Sequence, residues 1–203
     1  MEVYKLSDLK ALPAFRFKGE RTYVQGPDLF DAVALALESM GDGYVQGLTF
    51  RSFTNKQCQI FVGNFERCRG KVICEGQWRS NCTGELKKYR VCEANEPVSI
   101  RQPFEEEKMV EGGKIVEDGI SGPYASQFTI IENVVALTKK FHNEKFPLSE
   151  GKWVFGQIVL NERLPDSCGL IQIENHQNIK DRFSRNRIVL DGHLVGEIRF
   201  IVA

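Results

Sequence analysis

DLFDAVALALESM, residues 28–40, is apolar around nearly its whole circumference when wound as an α-helix. Phe30, Val33, Leu37 and Met40 fall on one face, and Ala32, Ala34, Leu35 and Ala36 fill the others. Such a helix is buried, and Gly41-Asp-Gly43 ends it. FTIIENVVALTKKF, residues 128–141, has the same character. Aligning VALAL (33–37) with VVALT (134–138) sets Asp31 against Glu132, one acid at the same turn of two apolar helices. A carboxylate there is costly unless it is paired or put to use, so these two acids are the first candidates for function.

Outward from the helices the chain keeps one order: Gly-Pro, helix, Gly-punctuated strands. Ser7–Leu12 reads as a short helix capped by Ser7 and ended by Pro13, and Phe15, Phe17, Tyr23 and Val24 as a strand leading to Gly26-Pro27. Strands are expected over 44–53, 58–62, 71–74 and 83–92 after the first helix, and over 151–161, 169–173, 185–190 and 195–202 after the second. Between them, Pro97, Pro103, the acidic run 105–107 and four glycines mark a connector, with a strand around 108–116. Gly47 matches Gly156, Cys58 matches Cys168, 71–76 matches 187–192 and 84–86 matches 196–198. The chain therefore reads as a duplicated α+β unit: residues 1–95 as the first copy, 96–203 as connector and second copy.

Lys+Arg and Asp+Glu both number 27, and 42% of residues are hydrophobic, an ordinary globular composition without the footprint of a nucleic-acid binder. No apolar run approaches the roughly 20 residues that span a bilayer. The first residues lack the pattern of a secretory signal, so a cytoplasmic location is expected. The six cysteines form no C-x-x-C pair, which argues against a structural zinc, and they are expected to be reduced and mostly inert. Asn81-Cys82-Thr83 has the form of a glycosylation acceptor and is taken as chance.

A long apolar helix followed by a meander of strands, twice in one chain, resembles the double hot-dog arrangement, in which a curved antiparallel sheet wraps each helix. FTIIENVVAL, 128–137, is similar to the helix start of 3-hydroxyacyl-carrier-protein dehydratases. That resemblance implies a catalytic acid at Glu132, or at Asp31 in the first half. The dehydratases also use a histidine just upstream of a central helix, and residues 14–27 and 108–127 hold none; the chain has only His142, His176 and His193. Without that base the removal of an α-proton lacks its partner. Hot-dog thioesterases work with one helix carboxylate beside backbone donors. RTYVQGPDLF, 21–30, is somewhat similar to the helix approach in double hot-dog acyltransferase/decarboxylases of polyketide pathways, which implies Tyr23 as a nucleophile.

The expected chemistry is thioester hydrolysis or acyl transfer/decarboxylation on acyl-coenzyme A or an acyl-carrier protein. A dehydratase, if His176 or His193 reaches the site, and a non-catalytic acyl-binding protein are the alternatives. Gly26 and Gly122 precede the helices and, with Gln25 and Gln127, are candidate oxyanion donors; punctuation is their plain reading. Lys180, Arg182, Arg185 and Arg187 are candidates for the phosphates of coenzyme A or phosphopantetheine, against the plain reading of a solvated loop. Trp78 and Trp153 are expected in the core. No separate cofactor and no metal is expected, and the assembly is expected to be a monomer or homodimer of double hot-dogs.

Overall fold

A computed structural model describes residues 10–180 and 182–203. The chain divides into two compact units at Phe104 and Glu105.

In the first unit, β1 (Lys10–Ala11) and β2 (Phe17–Lys18) precede helix α1 (Gly26–Glu38). Four strands follow: β3 (Gly43–Phe50), β4 (Lys56–Val62), β5 (Val72–Ser80) and β6 (Leu86–Pro97), then β7 (Arg101–Gln102). The antiparallel sheet runs β1-β4-β6-β5-β3, and β2 pairs with β7 in parallel. Phe30, Val33 and Leu37 of α1 are buried, as the pattern predicts, together with Leu29 and with Val45, Leu48, Ile60, Ile73 and Val91 from the strands. Met40 lies half-buried past the helix end and Leu35 is 60% exposed, so α1 buries one face rather than its whole circumference. Burying each such side chain contributes roughly 1.5–3 kcal/mol, which fixes the helix to its sheet. α1 packs on β3.

The second unit opens with α2 (Glu106–Val110), β8 (Lys114–Val116) and β9 (Gly119–Pro123), followed by α3 (Ile130–Lys145). Then come β10 (Trp153–Leu160), β11 (Leu170–Ile179), β12 (Phe183–Leu190) and β13 (His193–Val202). Its antiparallel sheet runs β10-β13-β12-β11-β9-β8. α3 packs against α2, β9, β10 and β11. Both units are thus mostly antiparallel sheet, each with one long helix on it.

Several expectations change. Ser7 lies outside the described residues, but Lys10 and Ala11 pair with Ile60 and Gln59 as a strand rather than ending a helix. Phe15–Val24 is strand only at Phe17–Lys18, because Val24 turns its N–H to the Thr54 carbonyl (2.9 Å) on the way into α1. The span 108–116 is split, with Met109 buried on a short helix before β8 begins. The duplication holds for helix-then-four-strands but not for strand order. The first strand after the helix pairs with the third in unit 1 (β3 with β5) and with the fourth in unit 2 (β10 with β13). The matches of 71–76 with 187–192 and of 84–86 with 196–198 therefore join strands at different sheet positions. Alternating apolar residues recur in any half-buried strand, so such matches are weak guides to topology.

The thiols are not all reduced. Cys68 and Cys92 form a disulfide with a Cα–Cα distance of 6.3 Å. The β4–β5 loop folds back on β6, where Gly70 packs so tightly that a Cβ would lie 2.2 Å from the Glu93 carbonyl oxygen. That return brings Cys68 to β6. Cys58 and Cys74 are buried free thiols, and burial pushes Cys58 up to about 12, which leaves it inert.

Candidate functional site

The two helix starts carry the candidate residues, and they are built differently. In α3 the start is closed by its own side chains. Thr129, the N-cap, accepts the Glu132 N–H (3.3 Å) through its hydroxyl, and its own N–H donates to Glu132 Oε2 (2.9 Å). This capping box gives Glu132, 8% exposed, a structural task. Asn133 fastens the preceding turn: its Oδ1 accepts the Ala125 N–H (3.0 Å) and its Nδ2 donates to the Thr129 carbonyl (2.9 Å). Gly122 lies not at the helix but in β9, opposite Ile171, where a Cβ would press on Leu137 at 3.2 Å. Gln127 is exposed in the turn before Thr129.

The start of α1 has no such closure. Gln25 is the N-cap and makes no side-chain capping hydrogen bond. It is 8% exposed, and its Nε2 is buried without a hydrogen-bond partner. An unmet buried amide donor costs about 1–3 kcal/mol, so it needs a reason. Gly26 and Pro27 are the first helical residues, with Pro27 lacking an N–H, and Leu29 donates to the Gln25 carbonyl (3.1 Å). Asp28 occupies in α1 the place that Glu132 holds in α3, the third helical residue. It is ion-paired with Lys18, itself 8% exposed and set 5.0 Å from the Phe104 ring centroid. Asp31 lies one turn further along and is half-buried. Tyr23, half-buried, stacks at a tilt on Phe53 (4.9 Å) just before the N-cap.

Counted from the helix starts, then, Asp28 rather than Asp31 corresponds to Glu132. The six buried residues of α1, Pro27, Leu29, Phe30, Ala32, Val33 and Leu37, fall in step with buried residues of α3 in that register. The proline in the first turn was the sequence signal for it, since proline fits only the opening of a helix.

The histidines lie elsewhere. His142 is fully buried on α3, about 18 Å along the helix from its start at 1.5 Å per residue. Its Nδ1 meets the Thr138 carbonyl (2.6 Å), which can only accept, so Nδ1 carries the proton and Nε2 accepts from the Ser184 hydroxyl. Asn186 Nδ2 donates in turn to Ser184 Oγ (3.1 Å). Phe200 stacks on the imidazole at 5.2 Å and Trp153 lies at 4.8 Å. Burial pushes His142 down to about 4, opposed by the Thr138 hydrogen bond. This network was not foreseen, because Ser184 and Asn186 meet His142 only through the fold. His176 lies 3.7 Å from Glu197, and His193 is exposed at the start of β13. Lys180, Arg182, Arg185 and Arg187 are all exposed: the first two at the β11–β12 turn, the others on β12. Among the described residues no group of His, Cys, Asp and Glu side chains is arranged to hold a metal ion.

No family model matches the chain, and no curated protein matches it. The solved structures that align with it are of hot-dog proteins. A bifunctional dehydratase–cyclase domain of ambruticin biosynthesis is 12% identical, covering 89% of this chain and 82% of its own, with a TM-score of 0.49. The erythromycin dehydratase is 13% identical over 96% of this chain and 89% of its own, TM-score 0.48. A TesB protein of Mycobacterium avium subspecies paratuberculosis is 8% identical over 96% and 94%, TM-score 0.48. At these identities and scores, the roles of the residues above rest on their geometry alone.

Proposed function

We propose that the chain acts on an acyl thioester, carried by coenzyme A or an acyl-carrier protein, at the start of α1. One observation carries the reading: Gln25 holds a buried, unmatched amide donor at an uncapped helix start, whereas the start of α3 is satisfied by its own residues. A carbonyl oxygen that gains charge during reaction supplies the acceptor Gln25 lacks, and the helix dipole adds to it. Asp31 serves as base or as nucleophile, with Tyr23 as the nucleophile in acyl transfer. The reaction is hydrolysis or acyl transfer/decarboxylation. Dehydration through His142 is disfavoured, since that ring is held in the core beside Ser184; it stays the alternative through His176 or His193. In this reading each unit is a hot-dog and the chain is a double hot-dog acting as a monomer or homodimer.

A second reading, acyl binding without turnover, is supported by the commitment of Glu132 to the capping box and of Asp28 to Lys18. Mass-spectrometric turnover of a panel of acyl-coenzyme A and acyl-carrier-protein thioesters separates the two. Gln25→Met is expected to slow turnover by about 10²-fold, the usual effect of losing an oxyanion donor, and Asp31→Asn to abolish it. Glu132→Gln is expected to keep the rate. The opposite pattern moves the site to α3. Tight binding without turnover selects the second reading, and absence of binding rejects both.

A further inference from the structure

The open face of the second sheet carries a row of donors with no acid in it. Gln177 on β11 lies directly opposite Arg185 on β12, Arg185 opposite Arg199 on β13, and Arg199 opposite Gln157 on β10. The row faces away from α3, because the alternating neighbours Ser184 and Phe200 are the residues that meet His142. The rows on either side differ. In one, Arg187 lies in register with Glu174 on one side and Glu197 on the other, an acid at each flank. In the other, Phe183 sits between Ile179 and Ile201.

Directly opposed side chains in an antiparallel pair have Cβ atoms about 5 Å apart, and like charges so placed repel. Arg185 and Arg199 are such a pair. Neither has a carboxylate within ion-pair distance among the described residues. The Arg199 guanidinium is pinned 4.0 Å above the Phe183 ring, and its Nε is buried without a partner. Two arginines held opposite one another in the register, one with an orphaned donor, thus have no carboxylate acceptor among the described residues.

We propose that this row binds a phosphate monoester, with Arg185 and Arg199 gripping its oxygens and Gln157 and Gln177 closing the ends. Two uncompensated positive charges match a dianion, whereas a single carboxylate is satisfied by one arginine. Phe183 and its apolar neighbours offer the rest of the molecule a surface beside the head group. The site is on the other side of the sheet from α3 and does not depend on the thioester reading. Free phosphate, the nucleotide of coenzyme A and phosphopantetheine share this chemistry.

Calorimetric titration and thermal melting at fixed ionic strength test it, with inorganic phosphate, adenosine 3′,5′-bisphosphate and phosphopantetheine as probes and pantetheine as the uncharged control. The phosphate probes are expected to bind and raise the melting midpoint, and pantetheine to do neither. Arg185→Gln and Arg199→Gln are each expected to weaken binding about tenfold or more, and Arg187→Gln to change it less than about twofold. Without phosphate, Arg185→Gln is expected to melt no lower than wild type, because repulsion is relieved, which excludes misfolding as the cause of lost binding. The tightest probe identifies the natural source. Absence of binding, binding of pantetheine, or an equal loss in Arg187→Gln overturns the proposal.

Discussion

His142 makes the stability of the second unit depend on pH in a window that can be calculated. The imidazole is fully buried, donates to the Thr138 carbonyl and accepts from Ser184, an arrangement that only the neutral ring fits. Burial holds it at about 4 in the folded protein, against about 6.5 in an unfolded chain. The unfolded chain therefore takes up the proton first, so stability is fully present above pH 6.5 and falls as pH drops toward 4. One pKa unit is worth about 1.4 kcal/mol, which gives roughly 3 kcal/mol across the window and about 2 kcal/mol of that by pH 5. The perturbation is the double substitution His142→Phe with Ser184→Ala, which removes the titrating group and leaves no orphaned hydroxyl. Urea unfolding at several pH values between 7.5 and 5, followed by Trp153 fluorescence beside the ring, reads the slope. The double variant is expected to start less stable and to lose about 2 kcal/mol less over that range. Parallel pH profiles for wild type and variant would refute the argument, since the carboxylates common to both cancel in the difference.

Two other predictions concern structure rather than titration. Thr129→Ala removes the hydroxyl half of the capping box on α3 and is expected to cost about 1 kcal/mol by denaturant unfolding, without changing the rate on any substrate the protein turns over. A larger loss of rate than of stability would return Glu132 and its cap to the chemistry. Alkylation in denaturant without reductant is expected to label the four free cysteines, and labelling of all six would remove the Cys68–Cys92 bond from the fold. Closing that loop is expected to contribute about 3 kcal/mol, read as the loss of stability in Cys68→Ser.

The helices were legible because their signal is dense. Phe30, Val33 and Leu37 repeat at helical spacing, and a buried helix needs little beyond that pattern and a Gly stop to be read. Most strands were legible for the same reason, but β5 and β11 each run six residues past their expected ends at 74 and 173. The register of the acids was not. Matching by apolar similarity placed Asp31 against Glu132, while the true helix starts place Asp28 there, because the first turn is set by Pro27 and by the link from Val24 to Thr54. Gln25 was picked out by position before α1, but nothing in the sequence distinguishes it from Gln127, which is exposed.

By itself the sequence determined an α+β chain with two long helices, each with a buried apolar face and each followed by four strands, since periodicity is a local property of consecutive residues. Only the tertiary structure decided which strands pair, which thiols meet, and which polar groups are left without partners. Those are contacts between residues far apart in the chain: β3 with β5 but β10 with β13, Cys68 with Cys92, His142 with Ser184, Arg185 with Arg199. Hydrogen-bond satisfaction and charge compensation are summed over such contacts. The unmet donors at Gln25 and Arg199 therefore become visible only once the chain has folded.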